Sequence, residues 1–170
     1  MALIATSKPS SAPVPDGTYV AVVRGIFDGG LHPGFDGGKP QPKIVISVEL
    51  DKRRDDGQRH EVNEVVTLST NEKSTLRTKW LKPLLGRDLS AAEVGSFDVE
   101  GVIGKCGLVS VVNKEKDGKK FARIGSIVPL PANIPAIAPE RDRFTKPALA
   151  ERLWNDRIVE MPATPTAEAA

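Results

Sequence analysis

Residues 113–126 read NKEKDGKKFARIGS and crowd Lys114, Lys116, Lys119 and Lys120 around Asp117-Gly118, with Phe121 and Arg123 just behind. Ammonium groups at such spacing can replace the counterions of a phosphate backbone. A ring beside them offers a face on which a base can stack, worth about 1–3 kcal/mol. A solvated hairpin tip has the same composition, so the surroundings of the stretch decide between the two. The segment GGLHPGFDGGKPQPK, residues 29–43, has a comparable mix: Phe35, Lys39 and Lys43 on a Gly- and Pro-rich background. Long loops of this kind inside a domain are often functional. Arg24, Phe27 and Arg59 complete the candidate contacts, Phe27 serving equally as core. The arginines of KRRDDGQR, residues 52–59, can instead pair with Asp55 and Asp56 across their own turn.

Other chemistries find little support. There is no phosphate-binding G-x-x-x-x-G-K-[ST], no G-x-S-x-G, no H-E-x-x-H and no G-x-G-x-x-G. Asp28, Asp36, Asp51, Asp55 and Asp56 sit mostly in turn-forming text, where Asp is common for backbone reasons. His32 and His60 lack ligand spacing and read as surface residues. The single cysteine, Cys106, lies in the apolar run CGLVSVV and reads as a buried structural thiol. The expectation is a binding protein and not an enzyme, with no cofactor and no metal.

Composition sets the frame. The chain has 170 residues, 39% hydrophobic and 27% charged, enough for one domain with an appendage. A net charge of +2 is too small to argue for nucleic acid by itself. No apolar run approaches the length needed to span a bilayer, and the opening MALIATSKPSSAPVPDG does not resemble a signal segment. The expected location is the cytoplasm, with no membrane partner.

The elements that must position these residues follow from periodicity. Residues 1–16 read as a flexible arm. Residues 18–28, 43–51 and 59–68 read as three strands, the second with Ile44, Ile46, Val48 and Leu50 on one face and Lys43, Ser47 and Glu49 on the other. The period then changes. Ser69 and Glu72 are spaced as a capping box, and Leu76, Trp80 and Leu84 mark an amphipathic helix that Pro83 should end or kink near Lys82, with Gly86 closing it. Residues 105–114 and 119–128 read as two more strands, with Ala122, Ile124 and Val128 inward and Phe121 and Arg123 outward. Asp56-Gly57 and Asp117-Gly118 mark hairpins.

Three strands, a helix and two strands is the chain order of an OB-fold-like five-stranded barrel, here over residues 17–131. Such barrels bind oligonucleotides on the strand 2–3 face and through the loops where residues 29–43 and 114–120 fall. Residues 132–170 read as a Pro-rich linker or a strap across the surface, a short helix starting near Pro147 with Leu149, Leu153, Trp154 and Ile158 on one side, and a disordered tail.

The succession GTYVAVVRGIFDGG, PKIVISVEL, NEKSTLRTKWLKPLLGR, FDVEGVIGKCGLVSVV, KKFARIGSIVPLP resembles a family of small phage and prophage single-stranded DNA-binding proteins with an OB-like core, from replication and recombination modules. The resemblance runs from Val14 to Pro131. It implies sequence-tolerant binding of single-stranded DNA in the cytoplasm of a bacterial host cell, with Phe121 as the aromatic that opens strand five. It also points to replication or recombination proteins as partners, and residues 147–160 read as a helix packing on the barrel or as a homo-oligomer or partner contact. A barrel that docks on a replication or host protein through its C-terminal segment is the competing expectation. In that case removing residues 140–170 should leave the core folded.

Overall fold

The alternation at residues 43–51 does yield a strand, and four others pair around it. The computed structural model describes residues 13–34 and 38–158. The N-terminal arm up to residue 12, Phe35 and the tail from residue 159 lie outside the described residues. The strands are β1 (Gly17–His32), β2 (Gln41–Arg53), β3 (Arg59–Thr67), β4 (Cys106–Lys116) and β5 (Lys119–Pro129). They form one antiparallel sheet in the order β3-β2-β1-β4-β5. β1 is longer than its pattern suggested, and its last residues take up part of the expected Gly-rich loop. Its first part pairs with β4 and its later part with β2. Arg24 is the extra residue of a bulge, since Val23 faces Val48 and Gly25 faces Ser47. A bulge bends a strand and sharpens its twist, which lets β1 serve both halves of the sheet.

The sheet's two edges, β3 and β5, do not pair as strands. They are bridged by side chains at one step. The Ile124 N–H donates to Glu64 Oε2 at 2.6 Å, and Lys79 Nζ donates to the Ile124 carbonyl at 2.6 Å and to Glu64 Oε1 at 3.0 Å. Both backbone groups of Ile124 are thereby satisfied, as buried backbone requires.

Lys79 comes from the helical segment between β3 and β4. A wide π-helical stretch, Leu76–Leu81, runs directly into α1 (Lys82–Leu85). The expected capping box does not form. Ser69 Oγ accepts from the Asn71 N–H, and Ser74 Oγ accepts from the Arg77 N–H, so the helix begins later than the box implied. Nor does Pro83 end it. The Lys82 N–H donates to the carbonyl of Arg77, five residues back, and the chain continues helically to Gly86. Leu76, Trp80 and Leu81 are buried against Ile44, Ile46, Val48 and Leu50 of β2. Burying each such side chain contributes about 1.5–3 kcal/mol. Val14 is also in this core, ahead of the point where order was expected to begin.

Two readings of strand faces change. On β5, a register shift opposite Ser110 and Val111 leaves Gly125 as an extra residue, so Ile127 packs on the core and Val128 is 48% exposed. On β2, the supposedly solvated face is buried as well: Val45, Ser47 and Glu49 are all closed off.

What covers them is the Pro-rich segment, which takes the second of its two expected forms, a strap across the surface. Residues 132–147 and α2 (Ala148–Asn155) cross the outer side of β1, β2 and β3. The Glu49 carboxylate accepts from the backbone N–H groups of Glu140 and Arg141 at 2.9 and 2.8 Å. Arg24 donates to the carbonyls of Asp142 and Thr145, and Arg59 to that of Ala138. The Cys106 thiol, half-buried, donates to the Ile137 carbonyl. α2 then lays Ala150, Leu149 and Leu153 on Phe27 and Val45. The approach is close enough that a Cβ at Gly29 would lie 2.3 Å from Leu153 Cδ2, so only glycine admits the helix there.

Removing the bridging carboxylate leaves Lys79 and the Ile124 N–H without their shared partner. Glu64→Ala is expected to destabilise the fold by about 3 kcal/mol, read as a lower urea midpoint, whereas Lys82→Ala on the exposed side of α1 should move it by no more than about 0.5 kcal/mol.

Candidate nucleic-acid interface

Four of the residues singled out from the sequence are held within the fold. Arg24, expected to touch a ligand, is 2% exposed. Its guanidinium bonds Ser47 and Glu61 as well as the strap carbonyls. Phe27 is 6% exposed and belongs to the small core under α2, with the Arg24 guanidinium 5.2 Å from its ring. Arg59 faces Glu49 and the strap's Glu140. All three change from binding residues to residues that fasten the strap. His32, expected at the surface, is buried with Nε2 2.7 Å from the Gly29 carbonyl. Lys43 is half-buried and donates to Thr67 Oγ1. Among the turn arginines, Arg54 pairs with Asp56 as anticipated, while Arg53 reaches Glu140 on the strap.

Phe35 lies outside the described residues, and the other members of the set lie outward. Lys39 is exposed in the loop before β2. The β4–β5 hairpin closes through Asp117 (φ 54°) and Gly118 (φ 77°), the two successive positive values of a type I′ turn. That turn sets Lys116 opposite Lys119, Glu115 opposite Lys120 and Lys114 opposite Phe121. All four lysines are exposed. Lys114 and Lys120 flank a shallow cleft with Asp16 and Asn113. The Asp16 carboxyl is held below its ordinary value, chiefly by the hydrogen bond from the Asn113 side chain, so it stays ionised.

Phe121 (39% exposed) and Arg123 stand on the outward side of β5 and line a groove along the unpaired margin between β3 and β5. His60, Asn63 and Val65 of β3 line it too, as does Arg152 of α2. Val65 is 40% exposed, so the groove offers apolar surface from both strands. Among the described residues neither Arg123 nor Arg152 has an ion-pair partner. The acids beside them are already engaged: Glu61 by Arg24 and Arg141, Glu64 by Lys79 and Ile124. Pro13 lines both this groove and the lysine cleft, so the two adjoin.

His60 adds no charge here at neutral pH. Burial lowers its pKa below the ordinary value, and the neighbouring Arg54 and Lys52 lower it further. The arrangement can therefore hold a polyanion through Arg and Lys side chains and hold a flat apolar group on Phe121 and Val65.

Arg152 and Val65 escaped the sequence reading. Arg152 sits in a helix whose docking side could not be known. Val65 was one residue in an apolar run, and only the open margin of β3 turns it outward. Among the described residues, no group of three or more His, Cys, Asp or Glu is placed to hold a metal ion, and no helix is long and apolar enough to cross a membrane. Compared with known proteins, the chain matches no family model and no curated sequence.

Two outcomes follow. A chain cut after Pro131 leaves Glu49 and Arg24 without the strap's backbone partners, so it should lose at least about 3 kcal/mol and show an early, broadened thermal transition, instead of remaining a folded core. In the intact protein, the His60 ring proton signal should titrate below pH 6.5; a midpoint above that value would place a negative group beside it.

Proposed function

We propose that this chain binds single-stranded DNA without strong sequence preference, along the groove between β3 and β5. The observation that carries the reading is Phe121 and Arg123, two residues apart on one strand, both exposed, in a groove whose carboxylates are already neutralised. A ring for bases and an unpaired guanidinium for phosphates are the two parts a single-strand site requires. The lysine hairpin adjoins and extends the cationic surface.

In this reading the fold is an OB-like barrel parted between β3 and β5. The bent β1 shared by β2 and β4, and the helix between β3 and β4, support it. Barrels of that type hold strands on the β2–β3 face and between the β1–β2 and β4–β5 loops. Here the strap occupies the outer face, so the strand is displaced to the margin, next to the β4–β5 hairpin. The resemblance to phage and prophage single-strand binders supports a place in DNA replication or recombination. Docking of a protein partner through the C-terminal helix is less favoured, because Leu149 and Leu153 are turned inward.

Fluorescent oligo-dT, titrated at two salt concentrations beside a duplex of equal length, tests the reading. Binding should be selective for the single strand and weaken steeply with salt. Phe121→Ala should cost about 1–3 kcal/mol of affinity. Reversing Lys116, Lys119 and Lys120 together should lower the log–log salt slope by about 2. No binding at low salt would leave the hairpin a solvated turn.

A further inference from the structure

A second cleft opens on the other side of Glu64 and Val65. It is lined by Lys43, Lys73, Lys79 and Arg123, with Thr67 and Ser69 between them. We propose that this cleft is a phosphate subsite, filled by a phosphodiester group of the strand lying in the adjoining groove. The proposal rests on the single-strand reading and gives it a second anchor point.

The charge balance comes first. Four cationic side chains line the cleft against one carboxylate, Glu64. Both Glu64 oxygens are committed, one to Lys79 and one to the Ile124 N–H, so Glu64 cannot turn to the others. Lys43, Lys73 and Arg123 have no ion-pair partner among the described residues. Like charges gathered in one concavity repel, and an anion among them relieves that repulsion.

The donors come next. Lys43 Nζ gives one of its three protons to Thr67 Oγ1 at 2.5 Å, which leaves two for another acceptor. Because Thr67 Oγ1 accepts there, its own hydroxyl proton remains to be donated. Half-burial fixes Lys43 against β3, so its ammonium is already positioned before any ligand arrives. Donors of this kind, charged and short-ranged, suit phosphate oxygens.

Continuity favours a strand over a free anion or an acidic peptide. Glu64, Val65 and Arg123 line both this cleft and the groove that holds Phe121. Arg123 is therefore the hinge point: a base on Phe121 would have its neighbouring phosphate at Arg123 and the following one toward Lys43 and Lys73.

The test uses the double variant Lys43→Gln/Lys73→Glu, which leaves Phe121, Arg123 and the hairpin intact; the introduced glutamine amide retains a donor for Thr67. Lys82→Glu, an exposed charge change on α1, is the control. Oligo-dT affinity should fall at least tenfold in the double variant, with the salt slope lower by about 1.4, and stay unchanged in the control. Inorganic phosphate should shift the backbone amide signals of Thr67, Ser69 and Asn71 in the parent protein and not in the double variant. Oligo binding with unaltered affinity in the double variant overturns the subsite while the strand-binding reading stands. Phosphate shifts without any oligo binding keep the anion site and sink the strand reading. Equal displacement of oligo-dT by poly-glutamate and by polyphosphate of matched charge overturns the assignment to phosphate.

Discussion

The fold turns on one carboxylate. The two outer strands of the sheet meet without pairing, and Glu64 stands in for the missing ladder step by accepting the Ile124 N–H while Lys79 covers the Ile124 carbonyl. A full strand-to-strand ladder would have joined β3 and β5 along their length and left no groove. A complete separation would have left buried backbone groups without partners, each costing about 1–3 kcal/mol. A single side-chain bridge lies between these limits. It holds the edges together at one point and leaves open surface to either side, with the Phe121 groove on one flank and the lysine-lined cleft on the other. The helix between β3 and β4 is part of the same device, because it supplies Lys79 from one face and Trp80 and Leu81 to the core from the next.

The second constraint lies on the opposite side of the sheet. The outer face of β1, β2 and β3 combines Arg24, Phe27, Glu49, Arg59 and Glu61, a mixture that water or a ligand would ordinarily meet. The chain's own strap meets it, with carbonyls for Arg24 and N–H groups for Glu49. Buried ions of this kind are tolerated only when nearly every donor and acceptor is matched. The matching here is with backbone and with side chains of the strap and sheet together, and it converts an apparent binding face into an interior. The β3–β5 margin and the β4–β5 hairpin stay open to other molecules.

Much of the sheet was legible from the sequence because β1 is rich in β-branched residues, β2 carries a period of two, and two hairpins carry an Asp-Gly pair. The helix was legible through Leu76, Trp80 and Leu84. What could not be read depends on tertiary contact. Arg24 and Phe27 look like ligand contacts until the strap covers them, and nothing in PANIPAIAPERDR has the periodicity that announces packing, because it packs through main-chain groups. Val128 pointed the wrong way because a bulge at Gly125 shifts parity without any local signature. Glu64 shares its strand parity with Val62 and Val66, and a charge in that position demands a buried cation from elsewhere in the chain. Of the candidate site, Phe121, Arg123 and the hairpin lysines were read in their observed exposure; Arg152 and Lys73 needed the fold to bring them near.

Where the strap is fastened through main-chain atoms, the two sides of that contact have unequal freedom to drift. At Asp142 and Thr145 it is a carbonyl that Arg24 holds, and at Glu140 and Arg141 an amide that Glu49 holds. Any residue supplies the first, and any but proline the second. Sequence change can therefore accumulate at Asp142 and Thr145 while the contact persists, whereas Glu140 and Arg141 also hold Arg53, Arg59 and Glu61 through their side chains, and Arg24 and Glu49 cannot be replaced singly without orphaning the other members of the cluster. Over many generations the carbonyl-bearing positions of the strap would come to look unrelated from one descendant to the next, and the record of its docking would survive in the sheet residues that receive it and in the ion-paired Glu140 and Arg141.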